Sequence, residues 1–380
     1  MTIVKDTGLT SVAESGMRNV AGSKINTFPA DTRQSSVDRA EFERRAYMRF
    51  LSAARGYWAG PMFVGLRRQI ESMPREQVEV HPTYQIYAWF ERHLQRMRYS
   101  GHRGLVAGVE ARREQLLAEL DQPLPPGLLE LDEDLSLPEY FVNCDIHQQP
   151  GGVAANILSA HVYREATQAG VVGVATLHQR FAQAVLNRWP GTQLPKRILD
   201  LGCGFGRSTL VYAEAVAEAR AVGVDLSASC VTLAAHSTPE ELRPRVQFVQ
   251  ADAVRTHWSD QSFDLVTSTM LLHEMPEAEV RGLIKEAGRL LAPGGVVAHL
   301  DFLPPEDPLL RLLYEGHASR NNEPYLLEHS RIDIEAAYRD AGFASVEILE
   351  FAETDDALAM PPKRWRLPWK IIFAVKSEEV

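Results

Sequence analysis

The chain has 380 residues, 45% of them hydrophobic and 24% charged, an ordinary globular composition with enough length for two packed cores. Its 50 acidic against 40 basic residues give a formal net charge of -10, so the overall field repels polyanions and argues against a DNA or RNA partner. No apolar run reaches the roughly eighteen residues that span a membrane, and no leader-like pattern opens the chain. The three cysteines, Cys144, Cys203 and Cys230, have neither disulfide-framework nor zinc spacing, so a cytoplasmic protein with no membrane contact and no metal is expected.

Residues 1–35 carry Ser, Thr, Gly and Asp without apolar periodicity and read as a flexible tail. From Ser36, an acceptable N-cap, Phe42, Ala46, Tyr47, Phe50, Leu51 and Ala54 recur at helical spacing up to Gly60-Pro61, where the pattern predicts the helix to end. The same periodicity predicts helices over 62–73, 84–97 and 105–120, so this part reads as all-α. A Pro-rich connector from Gln122 to Gly127 and the acidic stretch after it break the run. The segment 138–153, aromatic at its start and Gly-rich at its end, reads as a lid, and helical segments follow near 155–166 and 176–189. The expected organisation is a helical domain with its lid over 36–153 and a second domain over 154–380.

From Lys196 the apolar runs ILDL (198–201), AVGVDL (221–226), VQFVQAD (246–252), FDLVTST (263–269), GGVVAHLDF (294–302), SVEILEF (345–351) and WKIIFAVK (369–376) alternate with helical segments. They predict an α/β fold: a doubly wound, mostly parallel, seven-stranded sheet covered on both faces. Residues 350–363 form a Pro-containing loop instead of a helix, so the last strand is expected to be antiparallel. The cations Lys363, Arg364, Arg366 and Lys370, interleaved with Trp365 and Trp369, read as a solvated turn with packed tryptophans in preference to a base-stacking patch.

Asp200-Leu201-Gly202-Cys203-Gly204-Phe205-Gly206 ends the first of these runs and opens a helix near Arg207, placing a Gly-rich turn where open α/β sheets bind ligands. A nicotinamide fingerprint would want glycine where Arg207 stands, and Asp200 would repel a pyrophosphate but hold an ammonium group. Together with Val224-Asp225-Leu226-Ser227, Gln250-Ala251-Asp252-Ala253, the FDLVTST edge and LLAPGG at 290–295, the motif order resembles the class I (Rossmann-like) S-adenosylmethionine-dependent methyltransferases. That resemblance implies S-adenosyl-L-methionine as cofactor. It places Asp200, Gly202, Cys203, Gly204 and Gly206 at the methionine part, Asp225 and Leu226 at the ribose, Asp252 and Ala253 at the adenine, and Ser268 and Thr269 beside the sulfonium.

Methyl transfer asks mainly for alignment, with a general base where the acceptor carries a proton. His273 and Glu274, just beyond the fourth run, are the candidates for that role, and His147, in the polar loop of the lid, is a further catalytic candidate. Tyr140 in the lid and Tyr163 on the following helix are candidates to face the sulfonium through their rings. Each has a structural alternative: a packed imidazole for His273, a helix-capping carboxylate for Glu274, inter-domain packing for Tyr140. The insertion over 302–330, with Tyr314, His317, Arg320, Asn321 and Tyr325, is expected to line the acceptor pocket with the helical domain.

Amine-methylating DNA enzymes of this family carry an Asn or Asp-Pro-Pro-aromatic turn where this chain reads Thr269-Met270-Leu271-Leu272. The resemblance therefore implies a methyltransferase for a small-molecule, secondary-metabolite acceptor. Two alternatives stay open: an enzyme that cyclises or cleaves S-adenosylmethionine itself and releases methylthioadenosine, and a non-catalytic S-adenosylmethionine-binding protein. A homodimer through the helical domain is expected by analogy with the family alone.

Overall fold

The computed structural model describes residues 39–168 and 174–378, and all seven predicted runs form strands of one sheet, joined by an eighth. In chain order these are β1 (Leu129–Glu130), β2 (Arg197–Leu201), β3 (Arg220–Asp225), β4 (Val246–Gln250), β5 (Phe263–Thr269), β6 (Leu291–Phe302), β7 (Phe343–Glu350) and β8 (Trp369–Lys376). They lie side by side as β1-β4-β3-β2-β5-β6-β8-β7. β8 runs antiparallel to both neighbours, as its loop connection predicted, and the pairings from β1 to β6 are parallel. The added strand, β1, is two residues just after the connector, paired to β4 and too short to leave a periodic signature. The tail predicted over 1–35 lies outside the described residues.

Alternation along the strands divides the core. Ile198, Ala221, Phe248 and Leu265 face the helices Val174–Asn187, Arg207–Ala215 and Ala228–His236. Leu199, Val224, Val249 and Val266 face Glu277–Leu290 and Ile334–Asp340. The parallel register sets Leu201 opposite Val224 and Ser268, and Asp225 opposite Gln250, so the turns after these strands open on one edge. The chain winds outward from β2 through β3 to β4 and then returns to β5 on the other side of β2. That reversal makes the crevice in which such sheets hold ligands.

The N-terminal helices share their core with the second half of the chain. Leu51, Trp58, Phe63, Leu66, Tyr87 and Leu94 pack with Phe302, Leu312, Leu313, Tyr314 and Trp365. Two local predictions differ. Phe42 and Phe50 are exposed, because Arg39–Tyr57 touches the core along a narrow stripe that buries Leu51. The helix also does not end at Gly60-Pro61: a π-helical turn, Trp58–Met62, carries the chain into Phe63–Ile70, and its wider winding accommodates the proline's missing N–H. At the C-terminus Trp365 is buried, Trp369 packs on Phe302 with ring centres 4.3 Å apart, and Arg366 and Lys370 pair with Glu353 and Glu350. No helix among the described residues is long and apolar enough to cross a membrane.

Candidate active site

The turn after β2 demands its glycines. Gly202, Gly204 and Gly206 have φ of +65°, +53° and +86°, in the left-handed region that L side chains avoid. A Cβ at 202 would lie 2.7 Å from the Leu271 side chain, and one at 206 would lie 2.9 Å from Ala234 and the Phe248 ring. At 204 the nearest group is the Tyr163 ring, 3.6 Å away. Cys203 is buried, its backbone N–H donating to Val224 O at 2.8 Å, so it shapes the turn from beneath.

Asp200 is buried behind this turn. Its Oδ2 accepts from Ser208 Oγ at 2.5 Å and Thr209 Oγ1 at 2.6 Å, while Oδ1 has no hydrogen-bond partner among the described residues. Burial pushes the carboxyl up to about 6. Asp225, at the end of β3, accepts from Gly204 N at 2.9 Å through Oδ2 and from Ser227 N at 2.9 Å through Oδ1, and burial raises it to about 6 as well. Each of its oxygens keeps a lone pair for a further donor. The carbonyl of Leu226 is braced by Gln250 Nε2 at 3.2 Å, and Asp252 caps the N–H of Val254 at 2.9 Å beside the buried Ala253. Tyr140 stands edge-on to Tyr325 at 6.1 Å, and burial, with Asp252 and Asp225 nearby, raises its phenol.

These residues fit S-adenosylmethionine. A turn held open by glycines with positive φ at 202, 204 and 206, an unpartnered buried acceptor on Asp200 and a half-buried carboxylate at the end of β3 suit backbone approach, an ammonium group and a ribose diol. Ser268 stands at the end of β5, buried against β6. Its hydroxyl lies 2.5 Å from His299 Nδ1 on β6, and because successive side chains alternate, Ser268 and Thr269 point to opposite faces of the sheet.

Beyond the edge opens a cavity of about 450 Å³, walled by the helices Pro82–Tyr99, Ser159–Gln168 and Pro308–Asn321, the turn Leu272–Glu274 and the loop that precedes β8. Tyr163 belongs to both spaces, since its ring faces Gly204 and lines this cavity.

One wall is a row of alternating acids and bases. His273 Nδ1 is 2.6 Å from Asp301 Oδ1, and Asp301 is fixed by the N–H groups of Leu272 and Phe302, each at 2.7 Å. Burial by itself would lower His273, but the charge and hydrogen bond of Asp301, helped by Glu274, raise it; Asp301 in turn is held at about 2 despite its burial. The pairing puts the His273 proton on Nδ1 and leaves Nε2 on the cavity side, 3.9 Å from Glu274 Oε1. His147 meets Glu274 Oε1 through Nε2 at 2.9 Å and Glu323 Oε1 through Nδ1 at 3.0 Å. Burial opposes its charge, yet the two carboxylates hold it well above the ordinary imidazole range. Both nitrogens of His147 are thus engaged by carboxylates, which leaves neither free to take a proton from a neighbouring molecule. Glu274 is correspondingly its partner. His317 continues the row, 2.5 Å from Glu91 and 3.2 Å from Glu323, and is pushed up to about 9 by these acids against burial. Arg320 and Asn321 close the row on Glu91.

Sequence reasoning missed Asp301, Glu91 and Glu323. The signal for Glu91 was readable, because Tyr84, Tyr87, Glu91, Leu94 and Arg98 share one helical face, so a polar residue there must be buried with partners.

Residues 198–295 match the methyltransferase domain family. The demethylmenaquinone methyltransferase of Lactobacillus johnsonii is 33% identical over 121 residues, 31% of this chain and 49% of that protein. Erythromycin 3''-O-methyltransferase of Saccharopolyspora erythraea is 32% identical over 137 residues, 36% of this chain and 44% of that protein. The chain spans about half the length of the curated relatives it matches. Among solved structures, phosphoethanolamine N-methyltransferase 2 of Haemonchus contortus, in complex with phosphomonomethylethanolamine and S-adenosylhomocysteine, overlaps 52% of each chain at 21% identity, with a TM-score of 0.39. The N-terminal helices and the helix Pro308–Asn321, which wall the cavity, lie outside the matched domain.

Proposed function

The domain over 198–295 belongs to the class I S-adenosylmethionine-dependent methyltransferases, and from that premise we propose that the whole chain methylates a small organic acceptor held in the cavity beside it. The observation that carries this reading is the shared wall: Tyr163 borders both the glycine turn and the cavity, and the His273–Asp301 pair stands at the same junction. The acceptor is a secondary metabolite in this reading, and apolar walls from Trp58, Leu94, Met270, Phe302 and Trp365 suit its hydrocarbon part.

Asp200 and the glycine backbone would hold the methionine part of the cofactor, Asp225 and Leu226 the ribose, and Asp252 and Ala253 the adenine. When bound, S-adenosylmethionine supplies a methyl group on a sulfonium, an electrophile whose leaving group is the neutral thioether of S-adenosylhomocysteine. The chain orients the acceptor and keeps water from it, which is worth up to about 7–11 kcal/mol where alignment is good. His273, in its neutral form, takes the acceptor's proton at Nε2, and Asp301 stabilises the imidazolium that results. Glu274 and the charged His147 fix the position of this turn. A reaction that rearranged the cofactor alone would leave the second chamber without a role, which favours methyl transfer over release of methylthioadenosine.

The test is incubation with methyl-deuterated S-adenosylmethionine and a small-molecule extract, followed by mass spectrometry. Label in a small-molecule product, absent with Asp225→Ala, is expected. Methylthioadenosine as the dominant product would replace this reading with cyclisation.

A further inference from the structure

The cavity contains cations that its own carboxylates do not neutralise. Glu91 is bonded to Arg320 and His317, Glu274 and Glu323 to His147, and Glu353 to Arg366. Farther along the face of the helix that carries Glu91 stands Arg98, with Arg55 bonded to Gln95 on the same helix, and neither arginine forms an ion pair with a carboxylate among the described residues.

Arg98 is 7% exposed; its Nη1 donates to Ala166 O at 3.1 Å, and its Nη2 is buried with no hydrogen-bond partner among the described residues. Arg55 donates Nη1 to Gln95 Oε1 at 2.6 Å, and Gln95 Nε2 donates in turn to His147 O at 2.8 Å, which ties the arginine wall to the acid-base row. Burial and the neighbouring Arg98 pull Arg55 down to about 9. Two neighbouring guanidiniums with no ion-paired carboxylate among the described residues, and only the more distant Glu91 acting on Arg55, form an unfavourable arrangement that an incoming anion relieves. A guanidinium presents donors in a planar fork that matches the two oxygens of a carboxylate. Around the pair, Trp58, Leu94, Tyr99 and Leu177 supply an apolar surface.

We propose that Arg55 and Arg98 form a carboxylate-binding subsite, so that the acceptor is an organic acid with an aromatic or aliphatic body. Its acid anchors on the arginine wall, and the atom to be methylated is presented toward His273 and Tyr163. This rests on the reading of the cavity as the acceptor site.

Isothermal titration calorimetry of the full chain, saturated with S-adenosylhomocysteine, compares cinnamate with cinnamamide and decanoate with decanamide. The acids are expected to bind about tenfold or more tighter than their amides. Arg98→Gln and, separately, Arg55→Gln should erase that preference, and Arg98→Lys should keep part of it. Titration of S-adenosylhomocysteine into each variant alone should give the wild-type affinity. Amides that bind as well as the acids, or no binding by either series, overturn the subsite and leave the methyltransferase reading standing. Failure of wild type to bind S-adenosylhomocysteine sinks the methyltransferase reading, and the acid preference is then still read from the same titrations without it.

Discussion

His273 Nδ1 and Asp301 Oδ1 lie 2.6 Å apart, on the turn after β5 and near the end of β6, with both side chains withdrawn from solvent. The contact sets the tautomer of the histidine and raises its affinity for a proton, so in the proposed role His273 acts as base only once pH exceeds its elevated pKa. Asp301→Asn should lower kcat/KM by about 10²- to 10⁴-fold with cofactor affinity unchanged. Because the carboxylate raises His273, removing it should move the rising limb of the pH–rate profile toward lower pH. A limb that stays in place would take His273 out of the proton transfer.

The row through His147 and His317 makes a second, independent prediction. His317 rises from 6.5 to about 9 on folding, so its contribution to stability is complete below about 6.5 and is lost as pH climbs through 9. The size is on the order of 3 kcal/mol, with Glu91 and Glu323 as the partners. Thermal unfolding should therefore show a falling Tm between neutral pH and about 9.5, and His317→Gln should flatten that slope. An unchanged slope in the variant would mean that the histidine is not charged in the folded chain.

Glycine positions separate steric from conformational cost. Gly206→Ala meets Ala234 and Phe248 at 2.9 Å and carries φ of +86°, so roughly 2–4 kcal/mol of destabilisation is expected. Gly294→Ala, at φ +71° with its nearest neighbour 3.6 Å away, should cost only the backbone part, about 1 kcal/mol. Equal losses by chemical denaturation would contradict the crowded cradle.

The strand edges were legible because parallel strands are short, apolar and end in turns whose glycines and aspartates serve one purpose each. Asp200, Asp225 and the three glycines stand at such ends. The row of acids and bases was legible only in part: the helical face of Pro82–Tyr99 marked Glu91 as buried, but its partners His317, Arg320 and Asn321 reach it only when a helix more than 200 residues away in sequence packs against it. Asp301 was hidden inside a strand run, where the side chain's face is known but its partner across the sheet edge is not. Motif position marked Ser268 and Thr269 as the end of β5, but the partner of Ser268, His299 on the neighbouring strand, could not be read from it.

In the proposed function, the edge formed by Gly202, Gly204, Gly206 and Asp225 binds S-adenosylmethionine. Calorimetric titration of S-adenosylmethionine into wild type and Asp225→Ala addresses it directly. Saturable one-to-one binding by the wild type, weakened about 10- to 100-fold in the variant, is the predicted result. No binding by folded wild type, or equal affinity in both proteins, would contradict it.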